Sequence, residues 1–179
     1  MRWIFLTLLM SAPVAAETCP PVEHDETRLA ELMAAIRIAP NEMTAREISQ
    51  DLWKIWANAP DARAQALLDR GMQKRAEYNF EAANEAFTEL VAYCPGYAEG
   101  YNQRAFVQFL RQDFAGALED LEQVLELSPD HIAAKAGLAL TLIGLGRTEV
   151  AQSVLREALE LNPWLPERSL LIEPLGEEL

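Results

Sequence analysis

Two cysteines and two histidines are the side chains here best suited to chemistry, so their spacing decides which chemistry is open. Cys19 and Cys94 lie far apart and form no Cys-x-x-Cys pair, which argues against redox catalysis. An even pair of thiols points instead to a structural disulfide in an oxidising compartment. Such a bond would close a long loop and stabilise the fold by about 3–5 kcal/mol. His24 stands in a Pro-containing lead-in and His131 in a Pro-Asp-His turn, and neither belongs to a metal-spaced cluster. No Gly-rich phosphate loop, nucleophile elbow or Ser/His/Asp set can be assembled. Carboxylates are plentiful, but Glu77, Glu81 and Glu85, like Glu119, Asp120 and Glu122, read as outward helix faces. The expectation is a protein with no catalytic residues, no metal and no cofactor.

Charge narrows the partners. The chain carries 28 acidic and 15 basic residues, a formal net charge of −13. Phosphate backbones need basic clusters, so nucleic acid is not an expected partner. Anionic lipid surfaces would repel the chain. Its first residues have a separate logic. Met1-Arg2 precedes an apolar run, Trp3 to Met10, broken only by Thr7, and Ser-Ala-Pro-Val-Ala-Ala follows. Val14 and Ala16 supply the small residues of a cleavage site before Glu17, so residues 1–16 read as a signal peptide. The run is shorter than the roughly 20 residues of a spanning helix, and no stable membrane insertion is expected after cleavage. Export with two cysteines and no second anchor predicts a periplasmic protein.

The rest of the chain is organised by repetition. Residues 64–97, 98–131 and 132–165 align without gaps, with Pro95, Pro129 and Pro163 each 34 residues apart. An alanine stands twelve residues before each proline (Ala83, Ala117, Ala151), and a large apolar residue four after each alanine (Phe87, Leu121, Leu155). Earlier in each unit stands another small residue: Gly71, Ala105 and Ala139. A fixed period of this size means stacked supersecondary units rather than one globular core. Each unit predicts two helices, whose small residues allow close approach, while proline forces a restart. Residues 17–24 form an extended lead-in. Residues 25–63 predict a further, irregular hairpin: Leu29, Leu32, Met33 and Ile36 make the stripe of one helix. The other is expected to start at Thr44, capped with Glu47, and to carry Ile48, Leu52, Ile55 and Trp56. Residues 166–179 are expected to cap the last unit.

This small–small–large–proline pattern resembles the tetratricopeptide repeat (TPR). The resemblance implies an all-α, right-handed solenoid of antiparallel hairpins: three regular repeats, a degenerate N-terminal hairpin and a short C-terminal cap. The sequence departs from the family's pattern where Arg70 and Arg104 replace apolar residues and Lys135 replaces a large one. The resemblance also implies a concave groove that binds proteins. The residues it places there are Leu68, Met72, Arg75, Asn102, Phe106, Phe109, Leu140 and Ile143. Grooves of the family that grip a C-terminal carboxylate use several Lys, Arg and Asn residues. Only Arg75 and Asn102 qualify here, so an apolar peptide or amphipathic helix fits better. Two other occupants are open on the same residues: the N-terminal hairpin, or a tail segment Leu170–Leu175. The expected function is that of an envelope adaptor or assembly factor holding a partner protein. The alternatives are a self-associating structural protein, with homo-oligomers through the apolar groove, and an envelope enzyme with an unrecognised site.

Overall fold

The computed structural model describes residues 18–172; the expected leader 1–16 and the tail from Glu173 onward lie outside the described residues. Eight α-helices and a closing 3-10 turn make up the described residues: α1 Glu26–Arg37, α2 Glu42–Trp56, α3 Ala62–Ala76, α4 Phe80–Tyr93, α5 Ala98–Leu110, α6 Phe114–Leu127, α7 Ile132–Gly144 and α8 Thr148–Leu161, with the 3-10 turn at Pro166–Leu170. The all-α solenoid is what the repeat pattern implied. The pairs α3/α4, α5/α6 and α7/α8 are hairpins, and each packs on the next through α4 against α5 and α6 against α7.

Local chemistry accounts for the helix ends. Asp61, Asn79 and Asp113 cap α3, α4 and α6 by accepting the backbone N–H three residues on. The turn between the two helices of each unit needs one left-handed residue, and Tyr78, Gln112 and Gly146 take φ of 59°, 62° and 72° there. These three sit at one repeat position, although only the last unit carries the glycine that suits it. The small-to-large contact also holds: Gly71 lies against Phe87, and Ala83, Ala105, Ala117, Ala139 and Ala151 are all buried.

The departures from the family's pattern are paired. Arg70 donates to Glu89 at 2.6 Å and Lys135 to Glu157 at 3.2 Å. Arg104 grips Asp120 with two hydrogen bonds of 2.7 and 2.6 Å. Asp120 is therefore not on the outward face expected for it; it is buried because Arg104 needs its charge. The Asp120 hydrogen bonds raise the Arg104 pKa, burial opposing them. A second correction concerns α2, which begins at Glu42 rather than Thr44. Asn41, just after Pro40, caps it by accepting the Thr44 N–H at 2.9 Å, a stronger cap that pre-empts Thr44.

Cys19 and Cys94 form a disulfide, with Cα atoms 5.1 Å apart. Cys94 is fully buried at the end of α4, and Cys19 and Val22 pack on the core of the first repeat. Residues 19–94 are thus a closed loop that contains the whole N-terminal hairpin.

Candidate functional site

The N-terminal hairpin does not extend the stack from its front end. Leu32, Met33 and Ile36 of α1 and Leu52 and Trp56 of α2 share one core with Ile132 and Ala136 of α7, Ala158 and Leu161 at the far end of α8, and Leu165 just beyond it. The amphipathic stripe foreseen for this hairpin is present, but it buries against the third repeat.

Polar contacts fix where α2 lies. At its C-terminal end Trp56 stacks on His131, with centroids 4.2 Å apart, and its carbonyl accepts the Tyr97 hydroxyl at 2.8 Å. At its N-terminal end Glu42 meets Arg168 at 3.0 Å, while Trp164 Nε1 donates to Ala39 O at 2.8 Å. Tyr97 and His131 stand in the turns between units and Trp164 just after the last one, so α2 runs along that rim of the concave face. Burial and the charges of Glu99 and Asp69 push the Tyr97 hydroxyl well above its ordinary pKa, which keeps it a donor.

A buried polar chain holds the floor beside α2. His131 caps α7 by accepting the Ala134 N–H on Nδ1 at 3.2 Å, and Nε2 lies 3.0 Å from Glu99 Oε2. With Nδ1 accepting, the ring proton sits on Nε2 and is donated to Glu99. Glu99 also accepts from Asn102 and from Gln103, and Gln103 in turn accepts from Arg75. The turn residue His131 is therefore structural. His24, on the lead-in, is half-buried, and burial lowers its pKa.

Between α2 and the concave face remains a cavity of about 500 Å³. Of the residues the sequence placed in the groove, Arg75, Asn102, Phe106, Phe109 and Leu140 line it together. Leu68 is fully buried in the core of the first repeats, and Met72 packs on that core, so neither reaches the cavity. Ile143 is exposed outside its lining. The segment from Leu170 does not enter either, as far as it is described, although Pro166 and Glu167 ahead of it line the cavity. Gln152 on α8 accepts the Ile172 N–H at 2.7 Å and donates to Leu170 O at 3.0 Å, which lays these residues along α8. Pro174 and Leu175 lie outside the described residues.

Several wall residues were not foreseen, namely Trp53, Ser49 and Ala45 from α2 and Trp164 beyond α8. Trp53 offered a signal, since it falls off the stripe of α2 that buries; it is 45% exposed, like Phe106 at 46%. Two half-exposed aromatics thus stand on different walls of one cavity. Its size and its apolar lining with a few polar groups are those of a ligand site. Among the described residues no cluster of His, Cys, Asp and Glu could hold a metal ion, and no helix is long and apolar enough to cross a membrane.

Comparison with known proteins agrees with this architecture. The tetratricopeptide repeat family model matches residues 108–167. A TPR repeat-containing protein of Rhizobium etli is 25% identical over 136 residues, which cover 76% of this chain and 67% of that protein. Tetratricopeptide repeat protein 36 of Xenopus tropicalis is 33% identical over 132 residues, covering 70% of this chain and 64% of that one. A homologue of that protein in Nematostella vectensis is 38% identical over 74 residues; the match covers 41% of each chain, so this chain spans well under two thirds of the length of some relatives. Among solved structures, the first TPR of Spaghetti bound to the HSP90 peptide SRMEEVD superposes with a TM-score of 0.59 at 21% identity, over 60% of this chain and 86% of that one. MamA does so at 0.53 and 22% identity, over 76% of this chain and 77% of that one. At these identities the structural likeness speaks for the fold alone.

Proposed function

We propose that this chain, which belongs to the tetratricopeptide repeat family, holds a short segment of a partner protein in the cavity between α2 and its concave face. The observation that carries the reading is the cavity itself, about 500 Å³ walled by Trp53, Phe106, Phe109 and Leu140. Exposed aromatic surface on a protein of this charge marks a place where something docks. Solved relatives of the same fold carry peptides, as the HSP90 peptide on Spaghetti illustrates. The occupant differs from a partner's amphipathic helix, because α2 already lies along the groove. What remains takes an extended segment or a loop that inserts a few side chains.

The reading places the protein in the cell envelope. The apolar run Trp3–Met10 ahead of Val14-Ala15-Ala16 supports export, and the Cys19–Cys94 disulfide supports an oxidising compartment. There the protein acts as an adaptor or assembly factor that binds without catalysing.

A photo-cross-linking residue at Phe106, compared with one at the exposed Glu122, tests this in cells. Phe106 should yield an adduct with a distinct partner and Glu122 should not. Equal adducts from both positions would refute the cavity as the site. An adduct only with a second copy of the chain would favour self-association instead.

A further inference from the structure

Arg75 is matched differently from every other partly buried base. Lys74, Arg104 and Lys135, also partly buried, each hold a carboxylate: Glu77, Asp120 and Glu157. Arg75 holds none among the described residues. Its guanidinium donates to the neutral amide of Gln103 and lies over the Phe106 ring, 4.9 Å from the centroid. Glu99, the acid whose charge acts on Arg75, has both oxygens engaged: one by Gln103, the other by Asn102 and His131. Glu99 supports the Arg75 charge through space, but burial outweighs it and lowers the Arg75 pKa.

In a chain with 28 acidic and 15 basic residues, carboxylates outnumber bases. A partly buried guanidinium left with a neutral amide and a ring still has N–H donors unused, and such a cation is costly unless it is paired. Its surroundings are the aromatic wall of the cavity; of the acids that also line the cavity, Glu42 is held by Arg46 and Arg168, and Glu167 stands beyond α8. An anion entering there would meet Arg75 at reduced dielectric, with an apolar surface directly beside it.

We propose that the segment bound in this cavity presents an acidic side chain to Arg75 and, next to it in sequence, a large apolar residue to Phe106, Phe109 and Leu140. This rests on the cavity being the binding site and adds the chemistry it selects. One guanidinium serves one carboxylate, and α2 walls the side of the groove along which a longer peptide would run. An internal Asp or Glu therefore suits it, and a chain terminus is not required.

The test uses purified chain with its disulfide intact and an array of fluorescein-labelled hexapeptides built from Leu, Phe, Ala and one Asp. All are blocked at the N-terminus and amidated at the C-terminus, so the side chain is the peptide's sole carboxylate and the charge of the dye is the same throughout. A matched array carries Asn for Asp, a replacement that needs no change to the protein. Anisotropy should show the Asp peptides binding about tenfold or more tightly than their Asn twins at low salt. With Arg75→Gln that preference should vanish, and Arg75→Lys should restore part of it. Asp and Asn peptides bound equally well would overturn this inference and leave the cavity reading standing. A third array keeps Asn and leaves the C-terminal carboxylate free; binding confined to it would also overturn the inference. If no array peptide binds and Phe106 yields no cross-link in cells, both readings fall.

Discussion

The fit of Gly71 against Phe87 sets the first test. A Cβ built on Gly71 falls 2.5 Å from Phe87 Cζ and 2.6 Å from Cδ1, closer than real atoms approach. Phe87 is fully buried and cannot swing away. The next two units solve the same contact with the other combination, Ala105 with Leu121 and Ala139 with Leu155. Gly71→Ala should therefore cost about 1–3 kcal/mol in overpacking, offset by about 1 kcal/mol of gained helix propensity. Phe87→Leu alone should cost about 1–2 kcal/mol through the space it leaves. Together they recreate the Ala/Leu solution of the later repeats, so the double variant should lie close to wild type. The coupling between the two changes should be about 1–3 kcal/mol in favour of the pair. Urea unfolding followed by far-UV circular dichroism, with the disulfide oxidised, measures all four corners of the cycle. Effects that add to within about 0.5 kcal/mol would refute the interlock.

Three other outcomes follow from the same structure. Cys19→Ala/Cys94→Ala, which opens a loop with a sequence separation of 75, should lower unfolding free energy by about 3–5 kcal/mol, read by urea titration. Gln112→Gly should raise stability by up to about 1 kcal/mol, since Gln112 sits at φ 62°, whereas Gly146→Ala at φ 72° should lower it by a similar amount. His24 has its pKa lowered chiefly by burial, so the unfolded chain takes up its proton first as pH falls. The His24 contribution is therefore full above about 6.5 and is lost as pH drops from there through the lowered folded value. His24→Gln should flatten the fall in melting temperature between pH 7 and pH 5; an unchanged slope would contradict the assignment.

The repeat and its hairpins were legible because they depend on local spacing, and the disulfide because the chain has only two cysteines. Ala83, Phe87 and Pro95 recur in each unit whatever the chain does elsewhere. The position of the N-terminal hairpin was not legible for the opposite reason. Ile48, Leu52, Ile55 and Trp56 make an apolar stripe that would serve equally well at the front of the stack or across the groove. Only the complementary surface of Ile132, Ala158, Leu161 and Leu165, left bare at the far end of α8, decides between them. That surface belongs to the last regular repeat, and the hairpin covers it. The cavity shares this origin. Arg75, Asn102, Phe106, Phe109 and Leu140 were visible from repeat positions, whereas Trp53 and Trp164 join them only through long-range docking. Asp120 looked solvated because its partner Arg104 occupies a position usually apolar, and no local pattern signals such a pair.

The cavity exists only if α2 lies along the groove, and proton NMR of this 20.0 kDa chain tests that directly. Nuclear Overhauser contacts are expected between the Trp56 indole and the His131 ring, and between the Trp164 indole N–H and residues around Ala39. A spectrum in which Trp56 and Leu52 contact only α3 and α4, with Trp164 free of the hairpin, would show an open groove and contradict the cavity on which the proposed function depends.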